Sequence, residues 1–165
     1  MEDWKSLVSE LALSPHPEGG FYKETYRNPF TIDTTWKDSD VVVKRNLSSS
    51  ILFLLLSDNF SAFHRIHQDE LWYFQGGDGV LIHELNPQGE YIKHQLHLDP
   101  KIGRPQILIP ANSWFASEVM PGDKWSLSGC MVNPGFDFKD FEMADRSSLL
   151  KEYPGHQEVV RKLTR

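Results

Sequence analysis

The chain is a succession of short β-rich segments with turn residues between them. Residues 20–27, 41–56, 59–66, 70–75, 79–85, 90–97, 105–109, 113–119 and 124–133 are all rich in β-branched and aromatic types. Turns such as Ser57-Asp58-Asn59, Gly76-Gly77-Asp78-Gly79, Asn86-Pro87-Gln88-Gly89 and Pro121-Gly122-Asp123 punctuate them. Many short strands at this spacing must close into a sandwich, barrel or jelly roll, so the fold class is all-β. Helical pattern is confined to the ends. Trp4, Leu7, Val8 and Leu11 recur at helical spacing, which predicts a helix over residues 2–12 in an N-terminal segment 1–13. The stretch from Ser14 to Gly20 breaks it. Leu149, Leu150, Val159, Val160 and Leu163 mark a helical segment over 145–165, interrupted at Pro154-Gly155. Residues 31–40 are polar and predict a surface loop.

Bulk properties narrow the partners. A length of 165 residues suits one domain over 1–165, and 39% apolar residues suit a folded core. A net charge of -6 leaves no basic surplus to neutralise phosphates, so nucleic acid is not an expected partner. The longest apolar run, residues 51–56, is far too short to span a membrane. The N-terminus is acidic and lacks an apolar leader. Cys130 is the lone cysteine and cannot form an internal disulfide. A reducing, cytoplasmic location is expected.

The chemistry concentrates in Phe63-His64-Arg65-Ile66-His67-Gln68-Asp69-Glu70-Leu71-Trp72-Tyr73-Phe74. Imidazoles and a carboxylate beside a strand pattern are the makings of an acid/base or metal site. Three further motifs accompany it in order. His16-Pro17-Glu18-Gly19-Gly20-Phe21-Tyr22-Lys23-Glu24-Thr25-Tyr26-Arg27 precedes it. Arg104-Pro105-Gln106-Ile107-Leu108-Ile109-Pro110 with Trp114 follows, and then the run from Gly129 to Glu142. Together they resemble the DUF985 (cupin_5) branch of the cupin superfamily, from about residue 13 to the C-terminus. The resemblance implies a cupin double-stranded β-helix, a jelly roll with short terminal helices. It implies little about activity, because a fold does not fix a function.

Metal-binding cupins carry His-x-His, a glutamate a few residues on, and a histidine on a later strand. Here the spacing is His64-x-x-His67, which in a regular strand points the two rings to opposite faces. Phe115 stands where the later histidine is expected. No cofactor is therefore favoured. A divalent metal remains the competing reading, with His64, Glu70 and His67 as ligands, a bulge restoring His67, and Gln106 or Glu24 completing the set.

The residues predict a pocket at His64 and Glu70, with His64 as base, Glu70 fixing its tautomer and Tyr22, Tyr26 or Tyr73 as acid. Strand alternation places Tyr22, Glu24 and Tyr26 on one face. Arg65, Trp72, Gln106 and Trp114 are the expected ligand-binding residues. Bland readings stand beside these: a structural His64, an ion pair of Glu70 with Arg65 or Arg104, core roles for Trp72, Phe74 and Trp114. His83, His94, His97 and His156 are expected at the surface, Cys130 as a small buried hydrophobe, and Phe136, Phe138 and Phe141 as core. The expected function is binding of a polar, carbohydrate-like small molecule, with isomerase or epimerase chemistry if the protein is an enzyme. The alternatives are a non-catalytic sensing module and a metal-dependent oxygenase or isomerase. A homodimer is expected, formed through the strand at residues 19–27, because a jelly roll leaves strand edges unpaired.

Overall fold

The computed structural model describes residues 4–37, 39–122 and 124–165. Residues 1–3 of the expected N-terminal helix, Asp38 of the expected loop and Asp123 of the expected turn lie outside them. The first half runs α1 (Trp4–Glu10), β1 (Ser14–Pro15), β2 (Phe21–Arg27), β3 (Thr31–Thr35), β4 (Val42–Asn46), β5 (Ser49–Leu56) and β6 (Phe60–Arg65). Next come β7 (Asp69–Gly77), β8 (Val80–Leu85), β9 (Tyr91–Leu96), β10 (Gln106–Ile109), β11 (Trp114–Val119) and β12 (Trp125–Asn133). A 3₁₀ turn (Phe138–Asp140), β13 (Glu142–Met143), α2 (Arg146–Glu152) and α3 (Gln157–Lys162) complete the chain.

Two sheets face each other in jelly-roll fashion. One has the order β1-β2-β5-β12-β7-β10 and the other β13-β6-β11-β8-β9. Alternation explains which side chains meet between them. On β5, Phe53 and Leu55 point inward to join Trp72, Ile82, Ile109 and Phe115. Leu54 and Leu56 point outward and are buried under Trp4, Leu7 and Val8 of α1. That two-sided burial is why residues 51–56 form a continuous apolar run rather than an alternating one. On β11, Phe115 faces inward, while Trp114 and Ala116 face out against Leu149, Val160 and Leu163 of the C-terminal helices. The terminal helices are thus lids on the outer sheet faces, each docked by its apolar stripe.

Two expectations are corrected. Residues 31–40 are not simply loop, because β3 pairs with β4 from Thr31↔Asn46 to Thr35↔Val42. Its threonines are β-branched and favour strand; their polarity marks an exposed ribbon, not irregular chain. Residues 41–56 are two strands, separated at Leu47 and Ser48, whose backbones pair instead with Phe30 and Asn28.

Candidate functional site

The site begins with a tight loop. His16 N–H donates to Gly20 O (3.0 Å) and Gly19 N–H to His16 O (3.0 Å), closing residues 16–20 on themselves. Gly19 and Gly20 have φ of 115° and 73°, the left-handed region that side chains resist. Any Cβ on Gly19 would also collide with the Phe60 carbonyl on β6. The loop therefore lies flush against β6 and delivers His16 and Glu18 inward. Ala62 N–H donates to Glu18 O (2.8 Å) and pins it there.

Glu18, His64 and Glu70 line one cavity of about 360 Å³ between the sheets. His64 is 3% exposed and lies between the rings of Phe115 and Phe141, at centroid distances of 4.1 and 5.3 Å. Its Nδ1–H donates to Ala62 O (2.7 Å), which leaves Nε2 as the free lone pair. Glu18 Oε2 is 3.0 Å from that Nε2. Ser61 Oγ donates to Glu18 Oε1 (2.9 Å), and Glu18 N–H donates to His16 Nδ1 (3.3 Å).

Burial decides the charge of this pair. It drives the His64 imidazolium down to about 3 and holds Glu18 well above the carboxyl range, with the Glu70 charge adding to the rise. The separation of Glu18 and His64 would suit an ion pair, but with both charged forms desolvated the neutral pair wins. Glu18 then donates its proton to Nε2. Burial also lowers His16 to about 4. Glu70, 8% exposed, is pushed by burial to about 7, slightly offset by a bond with the Cys130 thiol. The thiol is itself pushed well up, by burial and by the neighbouring carboxyls. The cavity therefore holds a protonated carboxyl backed by an imidazole, and a second carboxyl that titrates near neutrality.

The mouth is aromatic. Phe136, Phe138 and Phe141 line the cavity from the segment after β12. Asp140 anchors that segment: it accepts from Arg45 Nε and Nη2 (both 2.7 Å), Gln68 Nε2 (2.8 Å) and Trp36 Nε1 (3.1 Å). Arg27 bridges β2 to the same segment, donating to both oxygens of Glu24 (2.9 and 2.7 Å) and to Phe136 O (2.9 Å).

Of the residues singled out in the sequence, His64, Glu70, Tyr22, Glu24 and Trp72 line this cavity. Tyr26 does not. The pairing of β2 with β5 slips between Glu24 and Tyr26, which turns Tyr26 out to 51% exposure and Arg27 in. Arg65 lies outside, 2.7 Å from Glu142 and stacked over Trp114 at 4.3 Å. Trp114 belongs to the outer core under the C-terminal helices. Gln106 is exposed on β10. His67 is turned away, with Nδ1 3.0 Å from Asn112 Oδ1 and its ring stacked on Trp36. Glu70 meets neither Arg65 nor Arg104, and the partner of His64 is Glu18, not Glu70. His83 is buried at 5% exposure against Tyr91, and His94 is bound to Glu84 at 2.8 Å, so neither is a free surface residue. Phe136, Phe138 and Phe141 wall the cavity instead of filling the core.

The pattern of donors does not fit a cupin metal. Phe115 packs its ring on His64, His67 points elsewhere, and the lone pair of His64 is taken by Glu18. Among the described residues no group of three or more His, Cys, Asp or Glu is placed to hold an ion.

Two facing antiparallel sheets around a side-chain-lined cavity define a cupin-type jelly roll. The chain belongs to the cupin superfamily family DUF985, whose model matches residues 5–144. It is similar to protein SO0799 from Shewanella oneidensis, a crystal structure 42% identical with a TM-score of 0.86, covering 100% of this chain and 99% of that one. A hypothetical protein from Leishmania major is 28% identical with a TM-score of 0.89, covering 99% of both chains. Uncharacterized protein YML079W of Saccharomyces cerevisiae is 29% identical, over 94% of this chain and 82% of its own length. An oxalate decarboxylase from B. subtilis shares the fold alone, at 10% identity and a TM-score of 0.54, with this chain covering 36% of it. No helix among the described residues is long and apolar enough to cross a membrane.

Proposed function

We propose that this cavity binds a small organic molecule and moves a proton on it, as an isomerase or epimerase does. The observation that carries the reading is the pair of carboxyls in opposite working states. Glu18 is kept protonated against His64 Nε2, and Glu70 titrates at about 7. A general base works best with a pKa near the working pH, and its partner acid must hold its proton there. Glu70 takes the proton from a carbon next to a carbonyl. Glu18 gives its proton to the carbonyl oxygen, and the electron pair of the broken C–H bond forms the enol. Proton return to carbon, with Glu18 recovering its own, completes the reaction without any redox partner. His64, locked by Ala62, holds the Glu18 proton at Nε2 until it is transferred, and the Ser61 hydroxyl, donating to Glu18 Oε1, stabilises the Glu18 carboxylate that forms in between.

The lining adjusts the expected ligand. Phe53, Trp72, Phe136, Phe138 and Phe141 offer apolar faces, and the polar groups gather at Glu18, His64 and Glu70 and again at Glu24, Arg27 and Asp137. This suits a ring-sized molecule with one apolar face and one polar edge, which a monosaccharide can present. A non-catalytic binding module remains the second reading, supported by the same walls. The two separate in a solvent-exchange screen. Small ketones, aldehydes and sugars are incubated with the protein in heavy water and deuterium at carbon is followed by NMR. Exchange that falls by about a hundredfold or more in Glu70→Gln supports catalysis. Binding without exchange supports the module.

We also infer a homodimer. Tyr26 and Phe30 on the β2 side and Ile32, Val41 and Val42 on the β3–β4 ribbon are exposed, at 51, 72, 45, 65 and 64%. Apolar side chains gathered on one projecting edge suit a second copy.

A further inference from the structure

The polar end of the cavity is rich in carboxyls and poor in available cations. Glu18 and Glu70 face each other closely enough for the charge of Glu70 to raise Glu18. His16 and His64 are held neutral by burial, so neither imidazole balances them. The guanidinium in the lining is that of Arg27, and Glu24 already occupies it through both oxygens at 2.9 and 2.7 Å. Asp137 adds another carboxyl to the wall, with Arg45 Nη1 4.0 Å from its Oδ2. The remaining surface is largely aromatic: Tyr22, Phe53, Trp72, Phe136, Phe138 and Phe141. Aromatic faces and carboxyls are the two groups that attract an organic cation, and they repel an anion.

We infer that the natural ligand of this cavity is an amine, a small molecule whose ammonium group lies between Glu70 and the aromatic wall and whose oxygen-bearing end lies toward Glu18. This deepens the reading of the cavity as a proton-transfer site and rests on it. The ammonium supplies the positive charge that the wall lacks. On binding, it draws Glu70 into its carboxylate form, so the ligand itself switches on the base. Glu18, hydrogen-bonded to His64 and further from the cation, keeps its proton and remains the acid. An anionic ligand, such as a sugar phosphate or a simple carboxylic acid, is excluded by the same charges.

Binding is linked to proton release from Glu70. The groups facing it are His16 and Glu18 from the loop before β2, His64 on β6, Cys130 on β12, and Glu24, Arg27 and Asp137 at the mouth. The cysteine stays a thiol and the two histidines stay neutral, so the change belongs mainly to Glu70.

The test uses three aryl probes of one size: benzylamine, benzyl alcohol and benzoate. Their affinities are measured by calorimetry with the intact chain, and binding in the cavity is read from the NMR shifts of its lining residues. Benzylamine should bind at least about tenfold more tightly than benzyl alcohol, and benzoate not at all. Its binding should release a proton, read as a heat that varies with the ionisation heat of the buffer, and should strengthen from about pH 6 to about pH 8. Glu70→Gln should erase the preference for amine over alcohol while benzyl alcohol still binds. Phe138→Leu, at the half-exposed rim, should weaken the amine several-fold more than the alcohol, which keeps the inference testable if the first variant folds poorly. Alcohol binding as tightly as amine, or benzoate binding best, overturns the cation inference and leaves the cavity reading standing. Absence of any probe from the cavity overturns the inference and also counts against the cavity as a ligand site.

Discussion

Glu70→Gln should make the protein more stable in mild alkali while leaving it nearly unchanged in mild acid. Burial carries the Glu70 carboxyl from 4.5 to about 7. That difference is worth about 3 kcal/mol of pH-dependent stability, at about 1.4 kcal/mol per pH unit. The sign follows from proton binding. The folded protein holds this proton more tightly than the unfolded chain does. The stabilisation linked to it is fully present below 4.5 and is lost as pH rises through about 7. Glutamine keeps the shape, carries no charge and has nothing to lose. The stability of the variant minus that of the wild type should therefore climb by about 3 kcal/mol from about pH 4.5 to about pH 8, most of it before pH 7. Glu18, raised in the same direction, contributes to both proteins, and to the variant somewhat less because the Glu70 charge is gone. His16 and His64 act with the opposite sign: their neutral forms stabilise the fold above 6.5, and that is lost as pH falls toward about 4 and about 3. Both proteins share this acid limb, so it largely cancels in the difference. The assay is urea unfolding followed by tryptophan fluorescence at steps between about pH 5 and about pH 8. A difference that stays flat across this range would refute the reasoning, since it would mean that Glu70 titrates as an ordinary surface carboxyl.

Other outcomes follow from the same contacts. Asp140→Ala should cost about 3 kcal/mol or more, because it strands the Arg45 guanidinium that donates to both oxygens of Asp140; thermal and urea unfolding check it. The same change should loosen the aromatic wall, seen as broadened NMR signals of Phe136, Phe138 and Phe141. A strong chelator should leave the melting temperature of the wild type unmoved, whereas Phe115→His, which sets an imidazole beside His64, should create zinc-dependent stabilisation in a thermal-shift assay. Light scattering at micromolar concentration should give twice the chain mass, and Phe30→Glu with Val42→Lys should reduce it to the monomer.

The fold was legible because its signals are local. Turn residues and β-branched segments marked most strands, and the order of four motifs identified the family. The ribbon of β3 escaped because exposed strands carry no apolar alternation. Half of the candidate site was legible on the same terms. His64, Glu70 and Trp72 share a short motif, and pleat parity separates His64 from His67. The other half depends on contacts between distant segments. His16 and Glu18 were visible as a His-Pro-Glu-Gly-Gly motif, but two prolines and two glycines mark such a stretch as a helix breaker. Only the packing of Gly19 against the Phe60 carbonyl turns that breaker into the arm that carries Glu18 to His64. The spacing of His16 and Glu18, two apart and flanked by the turn glycines, was the signal that could have found them. Tyr26 misled for a related reason. Strand parity is reliable only where the ladder is regular, and the slip after Glu24 exchanges Tyr26 for Arg27. Arg65 sits beside His64 in sequence, and Gln106 and Trp114 belong to a later motif, but all three lie on the outer face in space.

The central claim is that the cavity holds two carboxyls in different protonation states near neutrality. It is tested most directly by titrating the protein labelled with ¹³C at the glutamate carboxyl carbon and following each signal by NMR, with Glu18→Gln and Glu70→Gln as assignments. The account predicts one carboxyl with a midpoint at about 7, assigned to Glu70, and a second, assigned to Glu18, that still holds its proton where the first has lost its own. All glutamates titrating together near 4.5, the ordinary carboxyl value, would contradict it.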